Sequence, residues 1–224
     1  IATEGKNVLL VTLEMSELLY ARRICTNVTK VPMKELVGNT PVIKQAISEE
    51  KGKIFIKEFP PATITPNQLK GFIKKFQEQG IELDAIILDY LNLMHSTMGN
   101  NSYERIKHVT EQVRAMSYLF NCPIISATQL NRAGFDTDNP DLATISESIG
   151  LAATADVICS IFQNEEDREL GIIRLGMMKN RYGPRGATQA MRIDYSTLSI
   201  EEADDIEFED DSMETLSTLA GLAS

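Results

Sequence analysis

The sequence predicts an α/β protein built on a mainly parallel sheet with helices on both faces, followed by a C-terminal antiparallel hairpin. Three observations predict it. Apolar runs of strand type (NVLLVTLE at 7–14, KIFIKEF at 53–59, AIILDY at 85–90 and CPIISATQ at 122–129) alternate with segments of helical spacing. The runs at 7–14 and 85–88 are almost unbroken in their apolar character, as in strands covered on both faces. From residue 155 onward, strand-type stretches (155–163, 170–181 and 188–201) follow one another and end in a hairpin.

The helices between the strands carry their own signals. Ser16 caps a helix that runs to about Thr29, and a short helix is expected around 41–50. The segment 65–80 is the best marked, with Thr65 as N-cap, Pro66 in the first turn and Gly80 at the end. In 102–121, Ile106, Val109, Val113, Met116 and Leu119/Phe120 recur at three- and four-residue spacing, which is a core stripe and not a cofactor site. The stretch 132–146 is polar and rich in turn residues, and reads as a loop.

Composition bounds the function. A chain of 224 residues with 43% hydrophobic and 24% charged residues can bury a sizeable core. It contains no apolar run of 18 residues, so no membrane partner is expected, and its first residues lack the basic, then apolar, pattern of a signal peptide. The net charge of −10 comes mostly from one end: nine of the 32 acidic residues fall in 201–224, which has no Lys or Arg, and the other 23 nearly balance the 22 basic residues. The chain therefore divides into a domain at 1–200 and an acidic, disordered tail at 201–224. Cys25, Cys122 and Cys159 have no metal-ligand spacing and read as small buried hydrophobes of a reducing compartment; His95 and His108 add no zinc pattern.

Chemistry enters at the strand ends, where open α/β sheets bind ligands. The first strand ends at Glu14, the third at Asp89 and the fourth at Gln129. If those strands are neighbours, two acids and an amide share one edge. An Asp there can hold Mg²⁺ directly or through water, a Glu can polarise an attacking water, and a Gln can sense a terminal phosphate: the parts of phosphoryl transfer to water. Singly, each has an ordinary reading: Asp89 as a chance strand end, Glu14 as an acid at a helix N-terminus, Gln129 as a strand-end amide.

MKNRYGPRG (178–186) adds Lys179 and Arg181, two residues apart on one face of a strand and next to a turn, an arrangement suited to phosphate capture or equally to a solvated strand end. No G-x-x-x-x-G-K-[ST] occurs; Gly5-Lys6 and Gly52-Lys53 are followed by Asn7 and Ile54.

Taken in order, VTLEMSELLYARR, AIILDYLNLM, ATQLNRAGFD, SESIGLAATADVI and MMKNRYGPRG resemble replicative hexameric DNA helicases of the DnaB type, and NNSYERIKHVTEQVRAM and ESIGLAATADV look like the T4-like phage members. The resemblance covers about 6–200. It implies a RecA-like motor domain that uses ATP and Mg²⁺, with Glu14 as catalytic glutamate, Asp89 as the Walker B aspartate supporting Mg²⁺, and Gln129 coupling the γ-phosphate to DNA-binding loops. It implies that Lys179 and Arg181 reach the neighbouring subunit's ATP, Arg181 as arginine finger. It further implies that the loop from Asn131 to about Ile145, with Arg132 its clearest cation, contacts the backbone of single-stranded DNA.

The implied partners are single-stranded DNA, other copies of the chain in a homohexamer, and a primase or helicase loader; the implied location is the cytoplasm of a phage-infected or bacterial cell. The family's phosphate loop and the strand and helix flanking it would precede the VTLEMS strand and are expected to be missing here, leaving the sheet one strand short with an exposed apolar edge. Two other readings are a RecA-type recombinase or other hexameric ATPase, and a non-catalytic module whose acidic tail binds a basic partner.

Overall fold

The computed structural model describes residues 2–99, 101–129 and 149–203. Asn131, Arg132 and most of the acidic tail therefore lie outside the described residues.

The first sheet is parallel. It comprises β1 (Asn7–Thr12), β2 (Lys53–Glu58), β3 (Ala85–Asp89) and β4 (Ile124–Ser126), in the spatial order β2-β1-β3-β4. In β1, five of six residues are buried, as its continuous apolar run requires. Register partners in a parallel pair share a face. Val8–Ala85, Leu10–Ile87 and Thr12–Asp89 line one face, and Leu9–Ile86 and Val11–Leu88 line the other.

The two faces are covered by different helices. Leu9, Val11, Ile86 and Leu88 join one core with Leu69 and Ile73 of α3 (Pro66–Glu78) and with Ile106, Val109, Val113 and Met116 of α4 (Ser102–Phe120). In the expected α4 stripe, Phe120 packs only at the margin of this core and Leu119 is exposed. On the opposite face lies α1 (Glu17–Thr29), which packs against α2 (Thr40–Glu49) and sends Tyr20 to Asp89. Each aliphatic side chain fully buried in this way stabilises the fold by about 1.5–3 kcal/mol.

The helix ends are fixed by the residues that mark them in the sequence. Ser16 Oγ accepts the Leu19 amide of α1 at 3.3 Å. Thr65 and Gln68 form a reciprocal capping box at the start of α3, with Pro66 in the first turn. Asn101 accepts the Glu104 amide of α4 at 2.8 Å, and Asn121 ends that helix in the left-handed region at φ 48°. Edge-to-face rings seat α3 on β2: Phe55–Phe76 at 5.1 Å, Phe72–Phe76 at 5.5 Å and Phe59–Phe72 at 5.7 Å.

The antiparallel part is larger than a hairpin. After α5 (Ile149–Thr154), the strands β5 (Val157–Phe162), β6 (Ile172–Asn180), β7 (Thr188–Asp194) and β8 (Ser199–Glu202) form a second four-stranded sheet in chain order. Asp194 makes the β7–β8 turn by accepting the Ser196 amide at 2.8 Å and the Thr197 hydroxyl at 2.7 Å. These donors hold its carboxyl down at about 2. On β5 the outward side chains Val157, Cys159 and Ile161 are exposed, so Cys159 is not the buried hydrophobe expected of it; Cys122 is buried and Cys25 half-buried.

Between β5 and β6 stands a helix that the periodicity does not signal, α6 (Glu165–Leu170). Asn164 and Asp167 form its capping box, and Gly171 closes it at φ 66°, a conformation suited to glycine. Asp167 is buried, and Arg174 of β6 grips it through Nε at 2.7 Å and Nη2 at 2.9 Å. The guanidinium, and then the Asn164 amide, hold the Asp167 carboxyl below the usual carboxylate range against the opposing effect of burial.

Replacing Asp167 by Asn removes the charge that Arg174 grips and should cost about 3 kcal/mol, the lower end for a broken buried pair because Arg174 is partly exposed. Since folding lowers this pKa, the stabilisation is present above the unfolded value of about 3.9 and fades as pH falls through the folded one. Urea unfolding of both chains at neutral and acidic pH checks this; a difference that does not shrink on acidification would contradict it.

Candidate active site

β1 ends at Thr12 because that residue's hydroxyl takes over the backbone. The fully buried Thr12 Oγ1 accepts the Met15 amide at 2.9 Å and the Glu14 amide at 3.4 Å, and donates to the Met15 carbonyl at 2.8 Å. The strand expected to reach residue 14 thus stops two residues early. Glu14 is carried on an exposed turn immediately before the cap of α1. The Leu13 amide donates to the Asp89 carbonyl at 2.7 Å, tying this turn to the tip of β3.

Asp89 is the last residue of β3, half-buried, and its Oδ2 accepts from the Tyr20 hydroxyl of α1. Burial first, then donation to Asp89, pushes the Tyr20 phenol well above its ordinary range, and the charge of Glu14 pushes the same way. The Asp89–Tyr90 peptide is cis.

β4 is laced to the same tip. Ser126 Oγ donates to the Leu88 carbonyl at 2.9 Å and accepts the Leu91 amide at 3.0 Å, and Asn92 Nδ2 donates to Thr128 Oγ1 at 3.4 Å. Gln129 follows, exposed, three residues past the strand. Because β1, β3 and β4 are parallel neighbours, the turn carrying Glu14, the tip residue Asp89 and the segment reaching Gln129 all follow the carboxyl ends of adjacent strands. Among the described residues no cluster of three His, Cys, Asp or Glu forms a metal cage. A single hard carboxylate such as Asp89 fits Mg²⁺ in the form that keeps water and substrate phosphates as its other ligands.

Lys179 and Arg181 lie at the far end of β6, where Asn180 shapes the turn by accepting the Tyr182 amide at 3.1 Å and donating to the Pro184 carbonyl at 3.2 Å. Lys179 Nζ donates to the Ala152 and Ala153 carbonyls of α5 at 2.7 and 3.1 Å. Burial, then the charge of Arg181, lowers its pKa, while Asp156 opposes the shift. Arg181 pairs with Asp156 at 2.6 Å, and Arg114 of α4 reaches the same carboxylate oxygen at 2.8 Å.

Sequence reasoning passes over Tyr20, Arg114 and Asp156. Asp156 stands just before a strand, whereas the tip residues draw attention because they follow strands. Tyr20 and Arg114 sit in ordinary helical patterns and carry no local signal.

The family model described as DnaB-like helicase C-terminal domain matches residues 1–198. The DnaB-like replicative helicase of Enterobacteria phage T4 is 26% identical over 194 residues, covering 81% of this chain and 41% of its own length. Among solved structures, one described as an ATPase domain has a TM-score of 0.77 at 19% identity, over 91% of this chain and 76% of that one. A DnaB-like replicative helicase, described with its interactions with primase, has a TM-score of 0.77 at 18% identity, over 91% of this chain and 52% of that one. At such identities the structural likeness establishes the fold, the expected RecA-like type. No helix among the described residues is long and apolar enough to cross a membrane.

The Tyr20 environment can be measured directly. Folding raises its pKa, so its contribution to stability is full below the unfolded phenol value of about 10 and is lost as pH climbs toward the folded value. In an alkaline titration of phenolate absorbance to about pH 11, Tyr20→Phe should leave the rise unchanged, because the raised Tyr20 phenol does not contribute to it. Loss of one tyrosine's share of the rise in that variant would mean that Asp89 does not hold the phenol.

Proposed function

The chain belongs to the DnaB-like helicase C-terminal domain family, and from that premise we propose that it is the motor portion of a replicative DNA helicase, coupling ATP hydrolysis at subunit interfaces to movement along single-stranded DNA and unwinding of the duplex. It spans about four-tenths of the length of the T4 relative it matches, so this activity belongs to the whole protein. The motor unit runs through β8 to Glu202, two residues past the expected boundary at 200, and the acidic residues that follow act as a tail.

The observation that supports the reading is that Glu14, Asp89 and Gln129 lie at, or within three residues past, the carboxyl ends of three adjacent parallel strands. ATP placed with its γ-phosphate at that edge meets each of them. Glu14 accepts the proton of the attacking water as the new O–P bond forms and the bond to the β-phosphate oxygen breaks, giving ADP and phosphate; its exposure lets the proton pass to solvent. Asp89 would hold Mg²⁺, directly or through water, and the ion would supply charge that offsets the phosphates. Release of the Tyr20 hydroxyl frees Asp89 for that task. Gln129 opens the segment containing Asn131 and Arg132, and couples the presence of the γ-phosphate to their contacts with the DNA backbone. Those contacts are insensitive to sequence and weaken with salt.

Lys179 and Arg181 serve the ATP bound by the adjacent subunit of a homohexamer, with Arg181, the more exposed, as arginine finger. Their separate location on the second sheet supports this division of labour. A primase or helicase loader is the expected protein partner, supported by the primase interactions described for one matched helicase, and the setting is the cytoplasm of the cell in which replication occurs.

In the intact protein, Glu14→Gln should lower the ATP hydrolysis rate by about 10²–10⁴-fold while leaving nucleotide affinity within about threefold. Steady-state hydrolysis on single-stranded DNA and a fluorescent-nucleotide binding assay check the two halves. Near wild-type turnover would remove Glu14 from the general-base role.

A further inference from the structure

Asp156 has no part in the chemistry above, yet three elements meet at it. It follows the last residue of α5 by two positions and immediately precedes β5. We propose that Asp156 is a positioning residue for Arg181, with Arg114 of α4 as its anchor; the inference rests on Arg181 being the cation offered to the nucleotide.

Arg181 is held by Asp156 at two points. Its amide donates to the Asp156 carbonyl at 2.9 Å, extending the β5–β6 ladder by one rung, and its Nη1 meets Asp156 Oδ1 at 2.6 Å. The backbone bond fixes where the side chain starts and the ion pair fixes where it goes. The pairing runs through Nη1, and the planar guanidinium carries further N–H donors beyond that contact.

The carboxylate is itself fixed. Arg114 Nη2 reaches the same Oδ1 at 2.8 Å and also donates to the Tyr118 hydroxyl at 3.3 Å, and the Arg114 guanidinium lies 5.7 Å from the centre of the Tyr118 ring. Arg114 belongs to a 19-residue helix whose neighbours Val113 and Met116 are buried in the main core. Lys179, by holding the last carbonyls of α5, braces the segment leading into Asp156. The chain of contacts thus runs from the core through α4 and Arg114 to Asp156 and ends on the Arg181 fork.

Stability is a weak reason for such a cluster. The Arg114, Asp156 and Arg181 side chains are 28, 31 and 39% exposed, and pairs wetted to that extent contribute little to folding. Orientation is a better one. An arginine side chain samples many rotamers, and a partner that restricts them lowers the ordering cost when the guanidinium meets a phosphate. One carboxylate shared by two guanidiniums also leaves the cluster net positive, so Arg181 is directed without being neutralised.

The test uses the full-length protein, with ATP turnover measured on saturating single-stranded DNA, alongside ring assembly and thermal denaturation. Arg181→Ala should lower kcat by about 10³-fold. Asp156→Asn should lower kcat about tenfold with KM for ATP within about twofold and thermal stability nearly unchanged, and Asp156→Glu should recover part of the loss. Asp156→Asn placed on Arg181→Ala should add no further loss, because a residue acting through Arg181 has nothing left to act on. Should Asp156→Asn not assemble, Arg114→Met loosens the anchor while keeping the carboxylate, and it too should lower kcat. An equal loss from Asp156→Asn with and without Arg181, or an unchanged kcat in the Asp156 and Arg114 variants beside an impaired Arg181→Ala, overturns the inference and leaves the Arg181 reading standing. An unchanged kcat in Arg181→Ala overturns that reading and the inference with it.

Discussion

The pairing of β1 with β3 sets the position of everything else at the sheet's carboxyl edge. Both strands are apolar on both faces, and the two faces meet different partners, so a one-residue slip of either strand would carry its side chains from the core shared with α3 and α4 to the face covered by α1. The register is fixed by this mismatch of packing, and it brings Thr12 beside Asp89. The turn that carries Glu14 and the carboxylate at the tip of β3 are placed by the same apolar constraint.

Polar groups then refine what packing has placed. Thr12 closes the turn through its own hydroxyl, Ser126 joins β4 to β3 through two backbone groups, and Tyr20 covers Asp89 from the helix on the opposite face of the sheet from the main core. Each replaces water at a group that is partly or wholly shielded, so none is left with the penalty of an unsatisfied polar atom. A half-buried carboxylate with a neutral hydroxyl donor is a state that a cation can displace, since the phenol has nothing to lose but one hydrogen bond. A buried ion pair at the same place would resist displacement far more strongly.

The elements most legible in the sequence are those whose own residues determine them. The cap at Thr65, the stripe through Ile106, Val109, Val113 and Met116, and the apolar runs of β1 and β3 are local patterns, and the structure follows them closely. Strand ends are less legible: β1 stops at Thr12 because of a hydroxyl–backbone bond that alternation does not register, and β4 is only three residues long. The helix α6 is a single capped turn and a half, whose Asn164–Asp167 box could have been read but whose apolar content is too small for periodicity. In the candidate site, the tip residues are visible because strand ends are a topological address. Tyr20, Arg114 and Asp156 are not, because each is defined by a partner 25 or more positions away in the chain.

The distribution of charge supplies one more constraint. Glu14 and Asp89 stand at the carboxyl edge of the parallel sheet and Lys179 and Arg181 at the end of β6 of the antiparallel one, and among the described residues neither cation pairs with either acid. Opposite charges in contact at a surface attract by several kcal/mol before screening and side-chain entropy are counted, so a single pocket containing all four would tend to close on itself. Giving Arg181 its own carboxylate in Asp156, and Lys179 its own carbonyls on α5, prevents that collapse. On the proposed function, the acids would then remain available to a metal-bound polyphosphate, and the cations to an anion outside their own chain's site. An arrangement of this kind is economical where the two halves of a site must meet across a boundary between copies, and it has no evident use within a self-contained pocket.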